Sequence, residues 1–249
     1  MVKITKQSLM QRLPIHLVFC TGISLLVATG ALPLQAGQEP QTAVVQDILD
    51  GKELFIDQQQ ARLKQVAHAP QLISTGNSRG QLNFDSGAVG RINRQSQLRL
   101  GSSCFLLDRG QVLVSGKQAG CTRSARLSVR GTNYLLDVTD TGDTEISVLE
   151  GEVEVQPSRE GTPIEGKEAT TLQSGQRLKL SPEGVILAIL SLSSGDYTAI
   201  LTGPLFKGFN LPLPAQEALD SYLRTYLPSV PIPGIPLVPR FGGFGFGLF

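Results

Sequence analysis

Between Val129 and Gln156 the chain reads VRGTNYLLDVTDTGDTEISVLEGEVEVQ, and this stretch restricts the fold more than any other. Tyr134, Leu136 and Val138 occupy alternate positions, as do Ile146 and Val148, and then Val153 and Val155. A period of two puts such side chains on one face of an extended strand. Two glycine-bearing reversals separate the runs. In TDTGD, Gly142 can supply a positive φ, and Glu150-Gly151 forms a second, shorter reversal. The stretch therefore predicts three antiparallel strands, with Glu152 and Glu154 turned to water.

The same pattern runs from about Thr42 to Leu190. QLNF pairs Leu82 with Phe84. QLRL pairs Leu98 with Leu100 and leaves Gln97 and Arg99 outside. RLSV sets Leu127 and Val129 opposite Arg126, Ser128 and Arg130. Glycines punctuate these runs, and turn signals every ~8–12 residues point to a sandwich, barrel or roll. We expect an all-β fold of short antiparallel strands forming a sandwich or roll over residues 43–200, with a hydrophobic content of 41% sufficient for a core. The polar segment Pro157–Glu168 reads as a loop between strands. The apolar run Val185–Leu190 is too short to cross a bilayer and reads as a fully buried strand.

Past Leu201 the pattern changes. In PAQEALDSYLRTYLP, residues Ala215, Ala218, Leu219, Tyr222, Leu223, Tyr226 and Leu227 recur at helical spacing. Pro214 suits the first turn and Pro228 ends the helix. One short amphipathic helix is expected in a C-terminal extension, 201–227, packed on the β core. Residues 228–249 form a Pro/Gly/Phe-rich tail with five prolines between Pro228 and Pro239. An extended, mobile segment is expected there.

The N-terminus reads as an export signal over residues 1–36. Lys3, Lys6 and Arg12 precede an uncharged apolar run, Leu13–Leu34, and Ala36 is a small residue at the expected cleavage point. A retained anchor is the alternative, since roughly 20 apolar residues span a bilayer. Removal of this segment takes away three of the 22 basic residues and none of the 21 acidic ones. No basic stripe is left to engage phosphates, which argues against nucleic acid as a partner. Cys20 lies inside the segment. Cys104 and Cys121 remain as an even pair in an oxidising compartment, and a Cys104–Cys121 disulfide is expected, with two free thiols as the alternative.

Catalytic chemistry is not expected. His68 is the one histidine outside the N-terminal segment, so any serine or cysteine triad would have to use it. No nucleophile elbow, phosphate loop or dinucleotide fingerprint occurs, and no cofactor is implied. Asp137, Asp140, Asp143 and Glu145 lack the spacing of a calcium loop. Two cysteines without a neighbouring histidine do not make a zinc site, so no metal is expected. Glu150, Glu152 and Glu154 sit at a turn with no aromatic residues nearby in sequence to hold a sugar ring.

The segments LISTGNSRGQLNFDSGAVGRINRQSQLRLG, LDRGQVLVSG, VRGTNYLLDV, ISVLEGEVEVQ and LQSGQRLKLSPEGV, in that order, resemble the FecR protein domain from about residue 43 to 190. Gly131, Thr132, Glu150 and Gly151 carry its most recognisable motifs. The resemblance implies an all-β periplasmic module that, in the named regulators, relays the occupancy of an outer-membrane receptor to a sigma factor. Only about a dozen residues precede the apolar run, so the family's cytoplasmic sigma-binding segment is not expected. The resulting expectation is a periplasmic or secreted, non-catalytic, sensory or regulatory module. Its partner would be an envelope protein, such as an outer-membrane receptor, or an envelope glycan. The membrane would enter only through a retained N-terminal segment.

Overall fold

The computed structural model describes residues 41–159 and 162–232; the expected signal or anchor and most of the C-terminal tail lie outside them. The chain forms β1 (Thr42–Leu49), β2 (Leu54–Ile56), β3 (Gln59–Gln60), β4 (Val66–His68), β5 (Leu72–Thr75), β6 (Arg79–Phe84), β7 (Val89–Ile92), β8 (Gln97–Arg99) and β9 (Phe105–Gly116). There follow β10 (Gly120–Cys121), β11 (Ala125–Val129), β12 (Thr132–Val138), β13 (Thr144–Glu150), β14 (Glu152–Arg159), β15 (Thr162–Pro163), β16 (Thr170–Gln173), β17 (Gln176–Leu180) and β18 (Ile186–Ser191). Two helices, α1 (Ser194–Leu201) and α2 (Gln216–Tyr226), complete the described fold.

Two sheets share one strand. Sheet A runs β4–β1–β6–β7–β9–β12–β13–β17–β18. Sheet B runs β3–β2–β5–β8–β9–β10–β11–β14–β16. Every pairing is antiparallel except β9–β10. The mostly antiparallel two-sheet architecture is the one that the period-two pattern predicts. The inner faces meet in a core that includes Leu54, Ile73, Leu82, Phe84, Phe105, Tyr134, Leu136, Ile146, Val153 and Leu178.

β9 joins the sheets because it bends. Its Arg109 pairs with Gln97 in sheet B, and the next residue, Gly110, pairs with Val138 in sheet A. Sequence reasoning places a turn at Asp108–Gly110 between two strands; instead, one continuous strand changes sheets there. Gly110 has φ +84°, and a Cβ at this position would sit 2.6 Å from the Cα of Ser96. Only glycine accommodates both the left-handed backbone and the close approach. At the start of the same strand, Cys104 and Cys121 form the expected disulfide, with Cα atoms 5.9 Å apart. It ties the start of β9 to β10 and closes a 17-residue separation, a constraint of about 3 kcal/mol in the chain-entropy account.

Pro157–Glu168 is not simply a loop. β14 continues to Arg159 with Pro157 and Ser158 buried, and Ser158–Arg159 pairs with β15. A larger departure is β18. The Val185–Leu190 run, expected to be fully buried, is largely exposed, from 38% at Ile186 to 61% at Leu187. Among the described residues β18 is an edge strand bonded only to β17, while sheet B ends at β16. Apolar composition alone cannot distinguish a central strand from an edge.

The outer face of sheet A is not left to solvent. Val89, Leu113, Leu135 and Leu149 project from β7, β9, β12 and β13 into a second apolar cluster. Residues 192–230 cover it with Leu192, Tyr197, Leu201, Leu205, Phe206, Leu213, Leu219, Leu223 and Val230. Val230, at the head of the expected tail, is thus packed. α1 was not anticipated from sequence. Its local signal is the capping box Ser193–Asp196, in which the Asp196 N–H donates to Ser193 Oγ (3.2 Å) and the Ser193 N–H donates to Asp196 Oδ2 (2.8 Å).

Two arginines on the same face hold the connection between the helices. Arg91, 4% exposed, donates to the carbonyls of Leu205 (3.2 Å) and Leu211 (2.8 Å) and to Gln81 Oε1 (3.0 Å). Its guanidinium lies 4.6 Å from the Phe209 ring centroid. Burial pushes its pKa down to about 10, so it stays charged at neutral pH. Arg79 pairs with Asp50 and donates to the carbonyls of Pro204 and Lys207. No helix among the described residues is long and apolar enough to cross a membrane.

Gly110→Ala is expected to cost about 2–4 kcal/mol, from left-handed strain plus the clash with Ser96, read as a shift in the urea midpoint. Arg91→Ala leaves the buried Leu205 carbonyl and the part-buried Leu211 carbonyl without their donor. It should cost about 2–4 kcal/mol and make residues 202–215 the first site of limited proteolysis.

Candidate functional site

The turns that join β11 to β12 and β13 to β14 lie against one another at one end of the two sheets. Gly131 (φ +69°) and Gly151 (φ +92°) shape them. A Cβ on Gly151 would fall 3.0 Å from the Gly131 carbonyl oxygen and 3.1 Å from Thr132 Cα, so the stacking itself requires glycine there. Gly151 also exchanges hydrogen bonds with Ser174, whose Oγ accepts from the Gly151 N–H at 2.8 Å. The β16–β17 turn is thereby drawn to the same place.

Beneath the turns lies a polar layer. Thr132 and Asn133 are fully buried. Asn133 Nδ2 donates to Glu150 Oε2 (3.1 Å) and to the Ala215 carbonyl (2.9 Å), and the Ala215 N–H donates to Ser115 Oγ (3.0 Å). These bonds fix the start of α2 against the ends of β9 and β12. Leu219 and Leu223 bury the inner face of α2. Tyr197 stands between sheet and helix, and its hydroxyl donates to the Leu149 carbonyl at 2.8 Å.

The remaining face of α2 and the turns enclose an open groove of about 790 Å³. Its walls are Arg130, Glu150 and Glu152 on one side and Tyr222, Thr225 and Tyr226 on the other, with Gln173 and Ser174 at one end. The rings of Tyr222 and Tyr226 are 5.0 Å apart, and Tyr226 is 69% exposed. Burial holds the Glu150 carboxyl above the usual carboxylate range, partly offset by the Asn133 hydrogen bond. Glu152 accepts from Gln173 Nε2 at 2.8 Å and lies 3.9 Å from the largely exposed Arg130. The groove thus offers two acidic groups, one guanidinium, side-chain amide and hydroxyl groups, and two tyrosine faces.

The sequence-predicted residues fall as follows. Gly131, Glu150 and Gly151 line the groove, with Thr132 directly beneath. His68 is exposed on β4. Asp137 and Glu145 face each other across β12 and β13, while Asp143 accepts from Thr141 Oγ1 (2.6 Å) in the turn beyond. Burial raises the Asp137 carboxyl, against a 2.5 Å hydrogen bond donated by Gln111. Among the described residues no cluster of three or more His, Cys, Asp or Glu could hold a metal ion. One premise needs correcting: Glu150 and Glu152, far from any aromatic residue in sequence, have Tyr222 and Tyr226 beside them in space. Ala218 and Tyr226 were assigned to the buried stripe of α2 and are exposed, because the stripe that meets the sheet is centred on Leu219 and Leu223. The tyrosine pair at i and i+4 was the available signal.

Residues 71–154, from β5 into β14, match the family model described as FecR protein. Over these residues the chain is similar to the FecR domain. This match is narrower than the 43–190 span of the motif resemblance, and it includes both glycine turns of the groove. Two crystal structures of a candidate anti-sigma factor from Parabacteroides distasonis ATCC 8503 also align, each at 19% identity and a TM-score of 0.42. Each alignment covers 53% of this chain, and 64% or 65% of the other. The chain therefore spans just under two thirds of the length of those solved chains. No curated protein matches. α2 lies outside the matched FecR segment, so half of the groove is built by a part of the chain that the family model does not describe.

Because the folded pKa of Glu150 is raised, the folded state holds its proton at a pH where the unfolded chain has lost it. Stability from this group is full below the unfolded pKa and declines as pH rises through the folded pKa. Glu150→Gln should therefore melt higher than the parent at pH 7–8, with the difference vanishing toward pH 4; a thermal melt series across that range checks it.

Proposed function

We propose that this chain is an exported, non-catalytic module of the cell envelope that binds a protein partner through the groove between the FecR turns and α2. The observation that carries the reading is convergence: the family-motif turns and an exposed tyrosine pair, remote in sequence, line one open surface. Tyrosines beside polar and charged rim groups suit protein recognition, since they bring large contact area at low entropic cost. The acidic and amide groups suit a segment that carries basic or hydrogen-bonding side chains. Export is supported by the basic, apolar and small-residue order of the first 36 residues, and by the disulfide, which persists in oxidising compartments. A regulatory or sensory role is the reading that the FecR match supports best, with an outer-membrane receptor among the envelope proteins that qualify as partner.

A second reading, binding of an envelope polysaccharide, is favoured by one observation. Tyr226, 69% exposed, shares the groove with Thr225, Gln173 and Glu152, which sets an aromatic face among hydrogen-bonding groups of the kind that suit a sugar ring.

Tyr226→Ala should leave the melting temperature within about 2 °C of the parent, as for an exposed site. It should also lower retention of an envelope protein by at least tenfold in affinity purification from envelope extracts. Equal retention by parent and variant overturns the groove as the binding surface. Retention of peptidoglycan or surface polysaccharide in place of protein, with the same dependence on Tyr226, selects the second reading.

A further inference from the structure

We propose that β18 is the contact through which two copies of this chain associate, edge to edge and antiparallel about a two-fold axis. Edge strands carry unpaired N–H and C=O groups, and folded proteins blunt them with short length, charge or polar composition. Sheets A and B have four edges among the described residues, and three of them follow that rule. β3 is two glutamines, β4 has three residues, and β16 is the polar run Thr-Thr-Leu-Gln. β18 does not: it has six residues, ILAILS, with no charge between Glu183 and Asp196.

Both faces of this edge are apolar. Ile186 and Ile189 pair with Leu180 and Leu178 and so share the core-facing side of sheet A, yet they are 38% and 48% exposed. Among the described residues sheet B ends at β16 and does not cover that side. Leu190, 47% exposed, lies on the outer side opposite Arg177, and Leu187, at the register shift, is 61% exposed. The adjacent cations are already neutralised within the subunit, Arg177 by Glu145 and Asp196 and Lys179 by Glu145 (3.2 Å). A second β18 therefore meets no unpaired charge.

The identity of the occupant follows from these edges. Antiparallel pairing of a strand with its own copy sets apolar residues against apolar residues, continues the ladder, and closes after two subunits. Pairing of β18 with another edge of the same fold would oppose it to short, polar strands. The exposed apolar surface, on the order of 400 Å² per subunit, is within the size of patch that marks an interaction site. It is smaller than the standard ~800 Å² per partner, so the dimer is a weak one, with a dissociation constant expected at roughly 10–100 µM.

The test is sedimentation equilibrium of the exported protein across that concentration range. The parent should convert from monomer to dimer. Ile189→Lys and, separately, Leu190→Lys should weaken association at least tenfold, with circular dichroism and melting unchanged because both positions are half exposed. An equimolar mixture of Ile189→Lys and Ile189→Glu proteins should recover association that neither shows alone, which only self-pairing of this strand produces. A parent that stays monomeric at the highest concentration overturns the proposal. So does a dimer untouched by both lysine variants, or a photo-cross-linker at position 190 that couples to the same chain or to a different protein.

Discussion

The molecule is organised by a single strand that belongs to two sheets. Without the passage of β9 from sheet B to sheet A at Gly110, the inner faces would not be brought into register, and Phe105 and Val114 could not serve one core from opposite halves of one strand. The cost is a left-handed residue packed on the Cα of Ser96, a position that glycine alone fills. The disulfide at the start of β9 acts on the same element. It anchors the sheet B half to β10.

How far the sequence revealed this depends on whether local pattern and tertiary context agree. The alternation of Tyr134, Leu136 and Val138, and of Ile146 and Val148, gave the inner core directly, because period two is a backbone property. The outer cluster was concealed in the same strands. Leu135 and Leu149 interrupt the alternation, and a continuous apolar run states only that both faces are covered, not by what. The cover lies 40 or more residues further on, and it is attached by Arg79 and Arg91, whose charge reads in sequence as solvent-facing. Gly110 was legible as a special position, but a turn and a bend between sheets require the same φ. β18 failed for a related reason: hydrophobicity identifies what prefers to leave water and does not say whether this chain supplies the partner.

The candidate site was half legible for the same reason. Gly131, Thr132, Glu150 and Gly151 were readable because they are local turn chemistry. Their significance as one surface was not, since it depends on the stacking of two turns and on α2 crossing above them. Asn133 is the hinge of that arrangement. Its side-chain amide bonds both the Glu150 carboxylate and the Ala215 carbonyl, so the acid of the groove and the helix of the groove are positioned by one buried group.

That shared support extends to the aromatic wall of the groove. Tyr222 and Tyr226 project from a helix whose start is fixed by Asn133 and Ser115 and whose inner face is fixed by Leu219 and Leu223, while Glu150 is held by the same Asn133. Two separate bonds from the Asn133 amide, one to the Glu150 carboxylate and one to the Ala215 carbonyl, therefore set the acid and the helix relative to each other. The acid of the groove and the C-terminal extension thus take their positions from one amide.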